Sequence, residues 1–186
     1  MNRAMRLFSI IFALLIATAG GPVSAADLDN TVFLDVPAGR VVIELRPDLA
    51  PKTVAHFKEL VKRGFYDGLK FHRVIPGFMA QTGDPLGNGT GGSGQTVPAE
   101  FSQAHFLRGT VGLARSNDPD SGDSQFFICF QPAPFLDGKY TIFGQVTKGM
   151  EFVDQIKMGD PKQNGAVSNP DRIVKMQMAA DASKAK

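Results

Sequence analysis

The sequence predicts a mainly β fold: a closed or nearly closed β structure capped by two α-helices. Eight short runs are rich in β-branched and aromatic residues, and two segments space their apolar residues as a helix does. Between them lie Gly, Pro and Asp clusters rather than the regular strand and helix alternation of βαβ units.

In chain order, the first two strands fall at 31–36 (TVFLDV) and 41–45 (VVIEL), where β-branched residues dominate. The first helix starts at Pro51, whose missing N–H costs nothing in a first turn. Val54, Phe57, Leu60 and Val61 then share one face, and Gly64 after Lys62-Arg63 ends it. Strands follow at 69–75, 78–82, 109–114, 124–130 and 140–146. A shorter helix fits 149–158, with Met150, Val153 and Ile156 or Lys157 at helical spacing, and the last strand is 172–178. The small, polar end 179–186 is expected to be flexible and to fray.

The other end reads as a leader. Arg3 and Arg6 precede an apolar run from Leu7 to Ala19, and Val23-Ser24-Ala25 places small residues before a cut at Ala26. That is the layout of a cleaved secretory signal peptide over 1–25, and the apolar run is shorter than the ~20 residues a spanning helix needs. The expected product is an exported protein with no stable membrane insertion after cleavage, most simply periplasmic, with one domain over 26–178. It would carry 18 basic and 18 acidic groups, a balance that offers no electrostatic case for nucleic acid. The lone Cys129 sits in "FFICF" and reads as a buried, inert thiol.

Most familiar catalytic motifs fail on inspection. "GNGTGG" (87–92) fits GxGxxG but neither closes a strand nor opens a helix, so a phosphate cradle is not expected. His56, His72 and His105 lack metal-ligand spacing, and HExxH, paired CxxC and GxSxG are absent. Neither a metal nor a cofactor is expected. What remains is "FHRVIPGFMAQTGD" (71–84) and "SQFFICF" (124–130). Strand alternation puts Met79 and Gln81 on one face, and likewise Gln125 and Phe127. With Arg73 they form an apolar floor under a few polar groups, the general form of a peptide or small-ligand pocket. Pattern alone leaves open the plainer alternative that the apolar residues are core and Arg73 a surface charge.

These two stretches, with "GNGTGG", "PAEF" (98–101), "GTVGLAR" (109–115) and "FLDGKYTIFGQV" (135–146), resemble the cyclophilin family in order and spacing, from about Thr31 to Met178. The resemblance implies an eight-stranded antiparallel barrel closed by two helices, of the exported bacterial kind. It also implies a peptidyl-prolyl cis-trans isomerase acting on proline-containing unfolded or flexible polypeptides, without covalent intermediate or cofactor. Arg73 would then be the catalytic donor and Gln81 its orienting partner or a bond to the substrate carbonyl. Phe78, Met79, Phe127 and Leu136 would surround the proline ring, Ala114 and Arg115 pair with the substrate backbone, and Gln125 assist.

Three positions depart from the commoner pattern. Phe135 stands where many eukaryotic cyclophilins have a tryptophan that contacts cyclosporin, and Tyr140 where many have a histidine lining the pocket. Weak cyclosporin binding with activity retained is expected. Arg115, where asparagine is common, either biases the groove toward acidic flanking residues or sits solvated on its rim. A monomer is expected. The rival function is a proline-peptide-binding or chaperone-like module without useful turnover, which fold alone does not distinguish.

Overall fold

The computed structural model describes residues 28–184, so the expected leader lies outside the described residues. The strands are β1 (Thr31–Val36), β2 (Gly39–Leu45), β3 (Arg73–Ile75), β4 (Met79–Thr82), β5 (Thr110–Leu113), β6 (Phe126–Cys129), β7 (Ile142–Lys148) and β8 (Lys175–Met178). The helices are α1 (Pro51–Lys62), α2 (Met150–Val153) and α3 (Ala179–Lys184). All strand pairs are antiparallel, and the sheet runs β3-β4-β6-β5-β7-β2-β1-β8.

The closed barrel expected from sequence is corrected by this order: the sheet is an open, curled half-barrel whose edges, β3 and β8, do not pair as a ladder. The outer edge of β3 is already occupied. Val74 N–H donates to Gly165 O at 2.8 Å, Gly159 N–H to Val74 O at 2.9 Å and Val167 N–H to His72 O at 3.2 Å. A loop over 159–167 thus uses the groups that β8 would need. Across the gap, irregular backbone at 68–71 meets 171–173 through an isolated Lys70–Arg172 bridge and bonds such as Phe71 N–H to Asp171 O. The strands expected over 69–75 and 172–178 are shortened at these ends.

The concave face carries the main core, including Val32, Leu34, Ile43, Val74, Ala80, Phe126, Ile128 and Phe143. Helix α1 fills it: Val54, Phe57, Leu60 and Val61 are buried as their spacing predicts. The Phe57 ring lies 4.8 Å from Phe143, 5.1 Å from Tyr66 and 5.4 Å from Phe126. Each such side chain contributes about 1.5–3 kcal/mol by leaving water. Ala50 offers the helix no side-chain cap. Glu100, from "PAEF", takes that role by accepting from the N–H groups of Lys52 (3.0 Å) and Thr53 (2.8 Å) and from Thr53 Oγ1 (2.8 Å).

The second helix is shorter than 149–158. After Asp154 the bonds run to the third residue back, as in Ile156 N–H to Val153 O, and Lys157 is then held by Asp171 and Ser168 O. Ala179–Lys184, within the segment 179–186 expected to be flexible, form α3, with Ala179 buried.

Candidate active site

One rung of the sheet assembles the site on its convex face. Arg73 on β3 pairs with Gln81 on β4, Gln81 with Phe127 on β6, and Phe127 with Gly112 on β5. Because side chains alternate between faces, Met79, Gln81 and Phe127 all point away from the main core. They meet a second apolar cluster that includes Phe106, Cys129, Leu136 and Ile142, with Phe78 and Tyr140 packed beside it. Gly112 is required there: a Cβ would overlap the Phe127 ring.

Arg73 is half-buried, and among the described residues no carboxylate pairs with it. Its partners are amides. Nη1 donates to Gln81 Oε1 at 3.0 Å, Nε to Asn164 O at 3.0 Å and Nη2 to Asn164 Oδ1 at 2.9 Å. A guanidinium carries two hydrogens on each Nη, so one N–H on each remains uncommitted. Burial lowers the Arg73 pKa from its ordinary value, but an arginine starts far enough above neutrality to stay charged. The site therefore presents a held cation whose spare donors have not been neutralised.

Behind Arg73 runs an amide relay. Gln81 Nε2 donates to Gln125 Oε1 at 2.9 Å, and Gln125 Nε2 donates to Gly89 O (3.1 Å) and Gly91 O (2.8 Å) in the glycine loop. "GNGTGG" thus anchors a glutamine instead of a phosphate. Asp84 organises that loop by accepting from the N–H groups of Leu86 (2.8 Å), Asn88 (2.9 Å) and Gly89 (2.5 Å). Gly83, at φ +88°, lets the next strand approach, since a Cβ would strike the Ser124 carbonyl.

Arg73, Phe78, Met79, Gln81, Ala114, Arg115, Phe127, Phe135, Leu136 and Tyr140 line a single open groove of about 910 Å³. Gln125 does not; it lines an adjacent smaller recess of about 320 Å³ and touches the groove through Gln81. Phe135 stands at the rim, 58% exposed, with its ring 5.2 Å from Phe78. Sequence reasoning missed the far wall, Gln163, Asn164, Ala166 and Val167. Asn164 lies 91 residues from Arg73 in the chain, in a polar loop without a periodic signal. Its one local mark is a left-handed backbone at φ 53°.

Arg115 is neither a free charge nor fully solvated. Its guanidinium donates to Lys139 O and Ser116 O, both at 2.8 Å, and stacks 4.5 Å from the Tyr140 ring centre. Cys129 is fully buried, and burial pushes its thiol to about 12, which makes it a poor nucleophile. His72 is buried too, and among the described residues neither ring nitrogen finds a hydrogen-bond partner. Burial holds it below its ordinary pKa against a smaller upward pull from Asp84.

The chain is similar to known proteins over most of its length. Residues 31–178 match the family described as cyclophilin type peptidyl-prolyl cis-trans isomerase/CLD. The chain is 56% identical over 170 residues to a Brucella suis protein named "Probable peptidyl-prolyl cis-trans isomerase", covering 85% of this chain and 87% of that one. It is 46% identical over 130 residues to peptidyl-prolyl cis-trans isomerase B of Bacillus subtilis, covering 69% and 90%. A cyclophilin from Hirschia baltica superposes with a TM-score of 0.75 at 29% identity, covering 83% of this chain and 76% of that one. A Cryptosporidium parvum cyclophilin type isomerase, solved in the presence of the dipeptide Ala-Pro, gives 0.72 at 29% identity, covering 80% and 98%. With the match spanning nearly the whole described chain, the protein belongs to the cyclophilin-type peptidyl-prolyl cis-trans isomerases.

Proposed function

We propose that the groove binds proline-containing segments of unfolded or flexible polypeptides and that Arg73 lowers the barrier to rotation of the X-Pro bond. The observation that carries this is the guanidinium, held by Gln81 and Asn164 with donors to spare beside an apolar floor. Peptide rotation has a barrier of roughly 18–20 kcal/mol, and an X-Pro bond isomerises unaided in tens to hundreds of seconds. Twisting breaks the amide resonance and returns a lone pair to the prolyl nitrogen. A donor that meets this lone pair stabilises the twisted state more than either planar one, which is what catalysis requires.

The remaining residues fit that role. Phe78, Met79, Phe127 and Leu136 hold the proline ring while the chain turns, and Phe135 and Tyr140 bound the groove. Backbone at Ala114 and Arg115 pairs with the substrate backbone, and Gln81, backed by Gln125, orients Arg73. Burying about 100 Å² of proline contributes some 2–3 kcal/mol, enough for capture and weak enough for release of both isomers. Rotation makes and breaks no σ bond, so the reaction needs no covalent intermediate, general base or cofactor. The Ala-Pro dipeptide named with the Cryptosporidium parvum relative supports a proline ligand for this groove.

We place the enzyme outside the cytoplasm, in a periplasm, on the strength of the leader pattern at 1–25, where it speeds slow proline steps in the folding of exported proteins as a monomer. The test is refolding of a denatured protein whose slow phase is set by proline isomerisation. Catalytic amounts should accelerate that phase with multiple turnovers. A module that only holds proline segments would leave it unchanged, or slow it in proportion to the amount added.

A further inference from the structure

We propose that Arg115 is a positioning residue that clamps the Tyr140 wall of the groove to the segment after β5, and that its charge does not select acidic neighbours of the proline. The activity part of this proposal rests on the isomerase reading; the clamp itself does not.

The geometry points to a clamp because the guanidinium joins two separate pieces of chain. From the 114–117 side, Nε and Nη2 both reach across to Lys139 O, at 3.2 and 2.8 Å, while Nη1 donates to Ser116 O at 2.8 Å. The same plane lies 4.5 Å from the Tyr140 ring centre, and Phe101 lies at 5.9 Å. Tyr140 in turn sets its ring edge-on to Phe127, 6.1 Å away at 82°. The hydrogen bonds among the described residues include none from the Tyr140 hydroxyl, so these ring contacts orient it. Lys139 continues the link, its Nζ donating to Phe135 O at 3.3 Å. Arg115 therefore fixes one groove wall, Tyr140, and reaches a second, Phe135, through the same turn.

A lysine could not substitute, because its point charge has neither the fork that holds a carbonyl twice nor the plane that lies on a ring. Three of its five N–H groups are given to Lys139 O and Ser116 O, so an acidic residue flanking the substrate proline would meet only the remaining Nη hydrogens, on a guanidinium whose plane the turn and the Tyr140 ring have already set. The charge serves the turn before it serves the substrate.

The experiment compares the protein with its Arg115→Lys and Arg115→Ala variants on Ala-Ala-Pro-Phe, Ala-Glu-Pro-Phe and Ala-Lys-Pro-Phe, with kcat and KM separated, alongside NMR of the Arg115 Nε–H group. Both variants should lose about tenfold in kcat/KM, mostly through KM, and the Glu-over-Lys preference should change by less than about twofold. The Nε–H resonance should exchange slowly with water and carry a ring-current shift that Tyr140→Leu removes. A lysine variant with parental KM, a glutamate preference lost with the charge, or an Nε–H resonance indifferent to Tyr140→Leu would each overturn the proposal. Absence of turnover in the parent would sink the isomerase reading instead, and the Nε–H resonance would still decide the clamp.

Discussion

At the scale of single residues, the proposed mechanism depends on holding a cation still without neutralising it. Arg73 is surrounded by amides, each of which fixes its direction while leaving its charge available. Gln81→Ala removes the bond to Nη1 and cuts the relay from Gln125. Its kcat/KM should fall about tenfold or more, with a stability loss of no more than about 2 kcal/mol, because each of the two part-buried hydrogen bonds contributes only about 1 kcal/mol to folding. Asn164→Ala leaves the backbone bond to Nε and loses only that to Nη2, so a smaller loss, about two- to fivefold, is expected in the same assay. Phe135 tests the groove's rim. More than half of it is exposed, so exchange needs no repacking. Phe135→Trp should tighten cyclosporin binding about tenfold by supplying an indole donor, read by calorimetry, with peptide turnover preserved.

At the scale of elements, strands and loops divide the labour: β3, β4 and β6 set the rung, and loops orient what it carries. Glu100 caps α1 from a distance of nearly fifty residues in the chain. Glu100→Ala should cost about 1–2 kcal/mol in urea unfolding while leaving catalysis intact, since α1 packs on the opposite face from Arg73. The pH dependence follows from two groups near the glycine loop. His72 has a lowered pKa because burial disfavours its charged form; below its unfolded value of about 6.5 the unfolded chain gains the proton that the fold resists. Stability should therefore decline from pH 7 to 5, and less so in His72→Leu. For Asp84, burial acts upward but the N–H groups of Leu86, Gly89, Asn88 and Gly87 outweigh it, and the net pKa is lowered. Its contribution is complete above about pH 4 and is lost as pH falls through the still lower folded value.

The same elements show what a sequence discloses. The α1 stripe and the face shared by Met79 and Gln81 were legible because burial imposes a period on residue type. The open seam was not, because it depends on which segment reaches the edge of β3 first, and a polar loop at 159–167 does so. Asn164 and the Arg115 clamp were hidden for the same reason: each is defined by a partner distant in the chain, Arg73 or Lys139, rather than by its own neighbours.

At the scale of the whole molecule, one curled sheet does two jobs. Its concave face packs on α1 and supplies stability, and its convex face carries the groove. The proposed export through residues 1–25 has its own test: expressed from Met1 in a host that exports proteins, the chain should begin at Ala26 by mass spectrometry, and an intact Met1 terminus would contradict export through that segment. The central claim is that a held but unneutralised arginine drives X-Pro rotation. Its most direct test is NMR exchange between the cis and trans forms of an Ala-Pro-Phe peptide, with the protein and its Arg73→Ala variant compared at equal concentration. The account predicts rapid exchange with the parent and a loss of about a hundredfold or more in a variant that keeps its fold and still binds the peptide. Equal exchange rates for parent and variant would contradict it.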